Sequence, residues 1–421
     1  MLDIKFIREN PEKVQTAAKQ KGLSLNVNEL LALDKKVTSL KTAMQAAQEE
    51  KNRLTNEIKK ATNETRPALI QKSKEEGVKI TEMTAELKPL EDQLYTMMLS
   101  TPTIPKEGTP IGKDESENVV IRQVGTPPKF DFEPKDHVEL LESKGLLETN
   151  RITKISGTRT VGLKGVMVQY ELAVHQYVLN KLASKGFTPI SVPVLCDERA
   201  LLGTGHFPAD PDSVYEMPKD NQYLIGTAEV ILNSLHRDEL LTENDLPMMY
   251  AGFSPCLRRE AGATGRDTRG LIRVHQFNKT EQYVLMRDNL EEMEKMHYFL
   301  LNNTEEILQD FELPYQIIQN CTGDMGMGKY MMHDAEVWVP SEGKYRETHS
   351  CSSLMDWQAR RTNLRYRGND GKVHYCYTLN NTGIASPRIF VGLLENHQQA
   401  DGSIRIPKAL QPYMMGMTQI K

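Results

Sequence analysis

The sequence predicts an α+β protein in which a long antiparallel helical hairpin precedes a large domain on an antiparallel β-sheet with flanking helices. Three observations carry this. Residues 28–98 are nearly free of Gly, aromatic residues and Pro and repeat their apolar side chains with a heptad period. From about residue 130, short apolar segments such as GFTPISVPVL and HDAEVWVP alternate with helical stretches such as VMVQYELAVHQYVLNKLASKG. No strand–glycine loop–helix unit recurs, which argues against a doubly wound parallel sheet.

The first helix of the hairpin is read from Leu33, Val37, Leu40, Met44, Ala47, Leu54 and Ile58, with Lys51 filling one polar step. The pattern breaks at Thr-Asn-Glu-Thr-Arg-Pro near 62–67, where capping residues and a helix-starting proline meet. It resumes at Leu69, Ser73, Glu76, Ile80, Met83, Leu87, Leu90, Leu94 and Met97. Two such helices, each ~50 Å long, bury their seams by folding back on each other. Ser73, Glu76 and Gly77 weaken the seam near the turn. Such a hairpin serves either as a packing element or as an arm that binds RNA.

Residues 99–128 are rich in Pro, Thr and Gly and read as a crossing segment. The boundary is set near residue 108, giving an N-terminal domain over 1–108 and a second over 109–421.

A chain of 421 residues is long enough for at least two units. A net charge of −5 excludes a global basic field, so any RNA contact must use local patches. Cys196, Cys256, Cys321, Cys351 and Cys376 form no CxxC pair and no Cys/His group with zinc spacing, so no zinc is expected and reduced thiols fit a cytoplasmic protein. No apolar run approaches the ~18 residues of a membrane span. The P-loop pattern GxxxxGK[ST] is absent.

The densest chemistry lies in FSPCLRREAGATGRDTRGLIRVHQFNKTE, which reads as strand, polar loop and strand, its loop carrying Arg266, Arg269 and Arg273. Arg258 and Glu260 are two apart and would share a strand face, either as a salt bridge or as a phosphate clamp with a neighbouring carboxylate. In KYRETHSCSS, Glu347 stands three residues before Ser350, a carboxylate and hydroxyl suited to Mg²⁺ or merely solvated. In TLNNTGIASPRIFVGLLENHQ a polar segment runs into an apolar helix, with Arg388 at a helix start that favours phosphate, or an ordinary capped core helix.

Together these segments resemble the motifs of class II aminoacyl-tRNA synthetases, and over nearly the whole chain those of the seryl-tRNA synthetases of bacterial type. DIKFIRENPE and the hairpin are similar to that family's N-terminal arm. GFTPISVPVL with Pro193 resembles motif 1 (about 165–195), CLRRE with HQFNKTE motif 2 (about 253–283), and NNTGIASPRIFVGLLENHQ motif 3 (about 378–398). GTAE at 226–229 resembles the serine-binding loop. Thr348 and His349 depart from the usual aliphatic residue and serine, and Leu257 and Arg259 from the usual Phe and Ser.

The resemblance implies a class II catalytic domain and a serine–tRNA ligase: serine attacks ATP to give seryl-adenylate and pyrophosphate, then passes to the 3′ end of tRNA(Ser) with release of AMP. Selenocysteine tRNA stays open as a second acceptor. Arg258, Glu347 and Arg388 would be catalytic. Thr227, Ala228, Glu229, Arg258, Glu281 and Thr382 would bind serine, with Glu229 receiving the ammonium and Glu281 and Thr382 the hydroxyl. ATP would meet Arg258, Arg259, Glu260, Val274, Phe277, Glu347, Thr348, His349, Ser350 and Arg388. Glu347 and Ser350 would hold Mg²⁺. The arm would bind tRNA, and motif 1 implies a homodimer with no membrane partner. One rival reading is a catalytically inactive synthetase-like paralogue that binds RNA, which the presence of Glu229, Arg258, Glu281, Glu347 and Arg388 opposes. A second is an enzyme that loads a carrier protein, which the hairpin opposes.

Overall fold

A computed structural model describes residues 1–261, 267 and 269–421. The chain divides into two compact units: Leu2–Lys19 with Leu23–Pro102, and Met1 with Gln20–Gly22 and Thr103–Lys421.

In the first unit two 34-residue helices, Val27–Lys60 and Arg66–Leu99, form the hairpin. Asn26 caps the first by accepting from the backbone N–H groups of Asn28 and Glu29, and Pro67 sits in the first turn of the second. Every heptad position named from the sequence is buried or half-buried, Lys51, Ser73 and Glu76 included. Lys36–Glu86 (3.1 Å) and Lys41–Glu91 (2.6 Å) tie the helices together at the base. At the same end the buried Asp34 accepts a fork from Arg8 at 2.7 and 2.8 Å.

The second unit is built on an eight-stranded sheet in the order Val119–Val124, Tyr315–Gln319, Met331–Val339, Lys344–Met355, Tyr377–Ala385, Gln276–Met286, Met248–Leu257, Thr188–Ser191. All neighbours are antiparallel except the last pair. Period-two alternation gives the sheet two apolar faces. Val284 and Met286 join the core formed with the Val166–Ser184, Leu290–Asp310 and Arg388–Asn396 helices, while Tyr283 and Leu285 join a smaller cluster with Ala228, Val230 and Leu232. Each fully buried Leu, Ile or Phe in such a core contributes ~1.5–3 kcal/mol.

Two of the sheet's irregularities bear on the cavity. In the Lys344–Met355 strand, Ala335 pairs with His349 and Glu336 with Glu347, so Thr348 is an extra residue. In the Tyr377–Ala385 strand, Thr280 pairs with Ile384 and Glu281 with Thr382, so Gly383 is extra. A Cβ on Gly383 would lie 3.0 Å from the Thr280 carbonyl oxygen and 3.3 Å from Leu182 and Val178, which is why the bulge takes glycine. All five cysteines are buried free thiols. Among the described residues no helix is long and apolar enough to cross a membrane.

Candidate active site

The side chains of Phe277, Lys279 and Glu281 leave the Gln276–Met286 strand on the face opposite the long helices and line a cavity of about 320 Å³. Thr227, Glu229, Arg258, Glu260, Val274, Glu347, Thr348, Ser350, Thr382 and Arg388 reach the same cavity. Twelve of the fifteen residues expected at the site therefore converge on one space, from segments spread between positions 227 and 388.

The bulge at Thr348 explains how Glu347 and Ser350, three apart, open onto one cavity, since a regular strand would send them to opposite faces. It also turns His349 away. His349 is buried on the helix-packed side, where its ring meets the Gly383 carbonyl oxygen at 3.1 Å and Thr348 Oγ1 at 2.8 Å, and burial pushes its pKa down to about 3. The expectation that His349 faces a nucleotide is corrected: it links the two bulges. Ala228 is fully buried beneath the cavity wall, against Gly252, and offers no side chain to a ligand. Arg259 is exposed outside the lining, its backbone N–H donating to the Ser213 carbonyl oxygen at 3.0 Å.

The strand that carries motif 2 ends at Leu257, and Glu260 has φ +52°, so Arg258 and Glu260 do not share a strand face. Glu260 instead accepts from Arg273 at 2.7 Å. Arg258 donates through Nε to the Gly226 carbonyl oxygen at 3.1 Å, and its guanidinium lies 5.2 Å from the Phe277 ring centroid. Among the described residues no carboxylate lies within ion-pair reach of Arg258. A Cβ on Gly226 would press on the Arg258 side chain at 3.2 Å, so this glycine makes room for it. Of the loop arginines, Arg273 lines the cavity, Arg269 pairs with Asp136 at 2.7 Å, and Arg266 lies outside the described residues.

At one end of the cavity Lys279 lies in contact with Glu281, which also accepts from Thr227 Oγ1 at 3.1 Å. Burial pushes the Glu281 carboxyl up, and Lys279 opposes the shift without cancelling it. Glu281 and Thr382 are direct cross-strand partners. Glu229 is held differently, by Gln358 Nε2 at 2.7 Å and Asn380 Nδ2 at 2.9 Å, both neutral donors. At the other end Arg388 Nη1 meets the Glu347 carbonyl oxygen at 2.9 Å and its carboxylate at 3.4 Å.

Behind Ser350 stands its strand partner Asp334, whose carboxyl is pushed well above the usual range by burial and by Glu347. Among the described residues Asp334 Oδ1 is a buried oxygen without a hydrogen-bond partner. Among the described residues no group of three or more His, Cys, Asp or Glu side chains is arranged to hold a metal ion. Glu347 and Ser350 nevertheless offer two hard oxygens on one wall, the pattern of a Mg²⁺ that takes most of its ligands from water and substrate phosphate.

Sequence reasoning missed Lys279, Asn380, His206 and Lys329, all in the lining. Lys279 was within reach, because alternation from Phe277 to Glu281 passes through it. Asn380 was likewise two residues before Thr382. His206 opens the short His206–Ala209 helix and Lys329 comes from a loop, and the approach of neither to the sheet has a local signal.

Residues 1–105 match the seryl-tRNA synthetase N-terminal domain, and residues 214–397 match the tRNA synthetase class II core domain (G, H, P, S and T). The chain is 52% identical over 416 residues to a serine–tRNA ligase of Deinococcus radiodurans, covering 99% of this chain and 98% of the relative. It is 39% identical over 422 residues to one from Thermodesulfovibrio yellowstonii, covering 98% and 99%. Its fold is similar to the crystal structure of seryl-tRNA synthetase from Pyrococcus horikoshii complexed with ATP, with a TM-score of 0.93, 38% identity and coverage of 100% and 99%. The cytoplasmic serine–tRNA ligase of Naegleria fowleri in complex with AMP gives a TM-score of 0.88 at 26% identity, covering 100% and 99%.

Proposed function

The chain belongs to the seryl-tRNA synthetases, class II enzymes that activate serine with ATP and transfer it to tRNA, and from that membership we propose how its cavity divides the work. The observation that carries the proposal is the convergence of Glu229, Arg258, Glu281, Glu347 and Arg388 on one cavity, which an inactive RNA-binding relative would have no reason to retain.

In the first step a serine carboxylate oxygen forms a bond to the α-phosphorus, the bond from that phosphorus to the bridging β-oxygen breaks, and pyrophosphate leaves. The carboxylate is already a nucleophile, so alignment and charge stabilisation dominate over proton transfer. Arg258 bridges the α-phosphate and the serine carboxylate. Having no ion pair among the described residues, the guanidinium fork is available for that task. Phe277 stacks on adenine with Val274 beside it, Glu260 faces the nucleotide, and Arg388 takes the γ-phosphate. Glu347 and Ser350 would hold Mg²⁺, which would supply charge neutralisation on the phosphates. In the second step a hydroxyl oxygen of the terminal ribose of tRNA forms a bond to the seryl carbonyl carbon, the bond from that carbon to the adenylate oxygen breaks, and AMP leaves with the hydroxyl proton passing to its phosphate or to solvent.

Serine sits where Thr227, Glu229, Glu281 and Thr382 meet. Its ammonium goes to Glu229, which no cation among the described residues pairs with, and its hydroxyl to Glu281 and Thr382, where Lys279 already stands beside the carboxylate.

The hairpin receives tRNA through its distal half. Residues 51–79 carry eight Lys and Arg against four Asp and Glu, whereas 27–50 and 80–99 together carry four against eight. Phosphate attraction concentrates where the excess lies. A homodimer fits the exposed Val168 and Leu172, one turn apart on the Val166–Ser184 helix, and the cytoplasm fits five unpaired thiols. The test is serine-dependent exchange of labelled pyrophosphate into ATP across all twenty amino acids: exchange with serine alone is expected, and none with any amino acid would overturn the reading.

A further inference from the structure

We propose that Gln358, which does not touch the cavity, is a positioning residue for the serine ammonium: it fixes Glu229 so that one carboxylate oxygen is kept free for the substrate. The inference rests on the reading of Glu229 as the ammonium's partner.

Gln358 belongs to the short Trp357–Thr362 helix and is fully buried. Its two amide ends face different chemistry. One faces the Glu229 carboxylate, which can only accept, so that end is Nε2, donating to Oε1 at 2.7 Å. The other end is then the amide oxygen, and it faces two hydroxyls, Thr378 Oγ1 at 2.8 Å and Tyr283 OH at 3.3 Å. The shorter bond of Tyr283 OH donates to Asn233 Oδ1 at 2.9 Å, so its single proton is committed there and Thr378 is the donor to the Gln358 amide oxygen. Reversing the amide would set oxygen against carboxylate, so Glu229 permits one orientation, and the hydroxyls, able to donate or accept, fit it.

Asn380 Nδ2 donates to the same Glu229 Oε1 at 2.9 Å. Both amides therefore occupy one carboxylate oxygen, and among the described residues Oε2 receives no donor. Neutral amides orient a carboxylate without cancelling its charge. At Glu281, by contrast, Lys279 supplies a countercharge. The pair of arrangements sorts the two ends of serine: a cation is drawn to Glu229, and a neutral hydroxyl can be accommodated beside Glu281. Gln358 sets the first of these from outside the site.

The experiment measures the KM for serine and for ATP in pyrophosphate exchange by the full chain carrying Gln358→Met, Gln358→Glu or Glu229→Gln, with thermal melting as a control. Gln358→Met removes a hydrogen bond to a charged group, so the serine KM should rise ~10-fold or more while the ATP KM stays within about twofold. Gln358→Glu keeps the shape and the acceptor for Thr378. Its carboxyl can replace the amide donor only when protonated, so its serine KM should lie near wild type at low pH and climb as pH rises. A merely structural glutamine would give no such profile. Equal rises in both KM values, or a Gln358→Glu variant whose serine KM follows the wild-type pH profile, would overturn the positioning role. If Glu229→Gln leaves the serine KM unchanged, the underlying reading of Glu229 fails. If Glu229→Gln raises it and neither Gln358 variant does, only the role of Gln358 fails. Should Gln358→Met not fold, Gln358→Glu and Thr378→Val carry the test, the latter with a smaller rise confined to serine.

Discussion

Glu281 and Thr382 stand directly opposite each other on neighbouring strands, both buried and both open to the cavity, with the extra residue Gly383 immediately beyond the pair. A substrate hydroxyl between them can donate to the carboxylate and accept from the threonine.

Thr382→Val keeps the branched shape and removes the hydroxyl. The lost hydrogen bond, ~1 kcal/mol, corresponds to a roughly fivefold rise in the serine KM, and more if the serine oxygen is left unpaired. The ATP KM should hardly move. Preference for serine over alanine should shrink, since alanine has no hydroxyl partner to lose. An unchanged serine-over-alanine ratio would assign Thr382 a structural role and leave the specificity with Glu281.

Arg258→Ala should lower adenylate formation by orders of magnitude while the melting temperature stays close to that of the parent. A phosphate clamp acts mainly in the transition state, and among the described residues this side chain gives up one hydrogen bond to the Gly226 carbonyl and its contact with Phe277. A mild kinetic effect with a large fall in melting temperature would point to a structural arginine.

Burial pushes the pKa of His175 down to about 3, and its ring lies between Thr280 Oγ1 at 3.0 Å and Ser386 Oγ at 3.3 Å. The folded protein refuses a proton that the unfolded chain binds near pH 6.5. The histidine's contribution to stability is therefore complete above ~6.5 and is lost as pH falls from there toward 3, with a slope of at most ~1.4 kcal/mol per pH unit. His175→Gln does not titrate, so the melting-temperature gap between parent and variant should be widest at pH 8 and narrow at pH 5. A gap that does not change with pH would contradict a neutral buried imidazole.

Removing the hairpin between Val27 and Met98 should spare pyrophosphate exchange and abolish transfer to tRNA. A finer variant, Lys59, Lys60, Lys72 and Lys74 all to Glu, should weaken serylation and flatten its dependence on salt, with exchange unaffected. No ion pair engages these four lysines among the described residues, unlike Lys36, Lys41 and Lys88 nearer the base. Equal loss of both activities would show that the arm also supports the cavity.

The hairpin was legible because its signal is local: a heptad seam over two stretches and a capped turn between them, with even Lys51 and Glu76 falling where the period puts them. The motif residues were legible as types, and Glu281 and Thr382 emerged as a pair. What escaped was where strands end and bulge and which distant side chains support the lining. Arg258 and Glu260 were expected side by side because a strand was assumed to continue, whereas it stops at Leu257 and Glu260 adopts a left-handed backbone. The resemblance sets His349 among the ATP residues, and the bulge at Thr348 that turns its ring away leaves no mark in the sequence. Gln358 lies 129 residues from Glu229 in the chain, and no pattern joins them.

The extra residues Thr348 and Gly383 also decide which changes of chain length the site can survive. Losing either would leave Glu347 with Ser350, or Thr382 with Ile384, as they stand relative to their partners, because the supernumerary residue is the one that drops out of the ladder. Losing any other single residue from the ladder between Glu347 and Ser353 would carry part of the strand to the opposite side and send cavity groups toward the helices. Insertions and deletions in these strands are therefore filtered by parity: related sequences can differ in length at positions 348 and 383 while keeping the same chemistry, and at the neighbouring positions they can differ only in even steps.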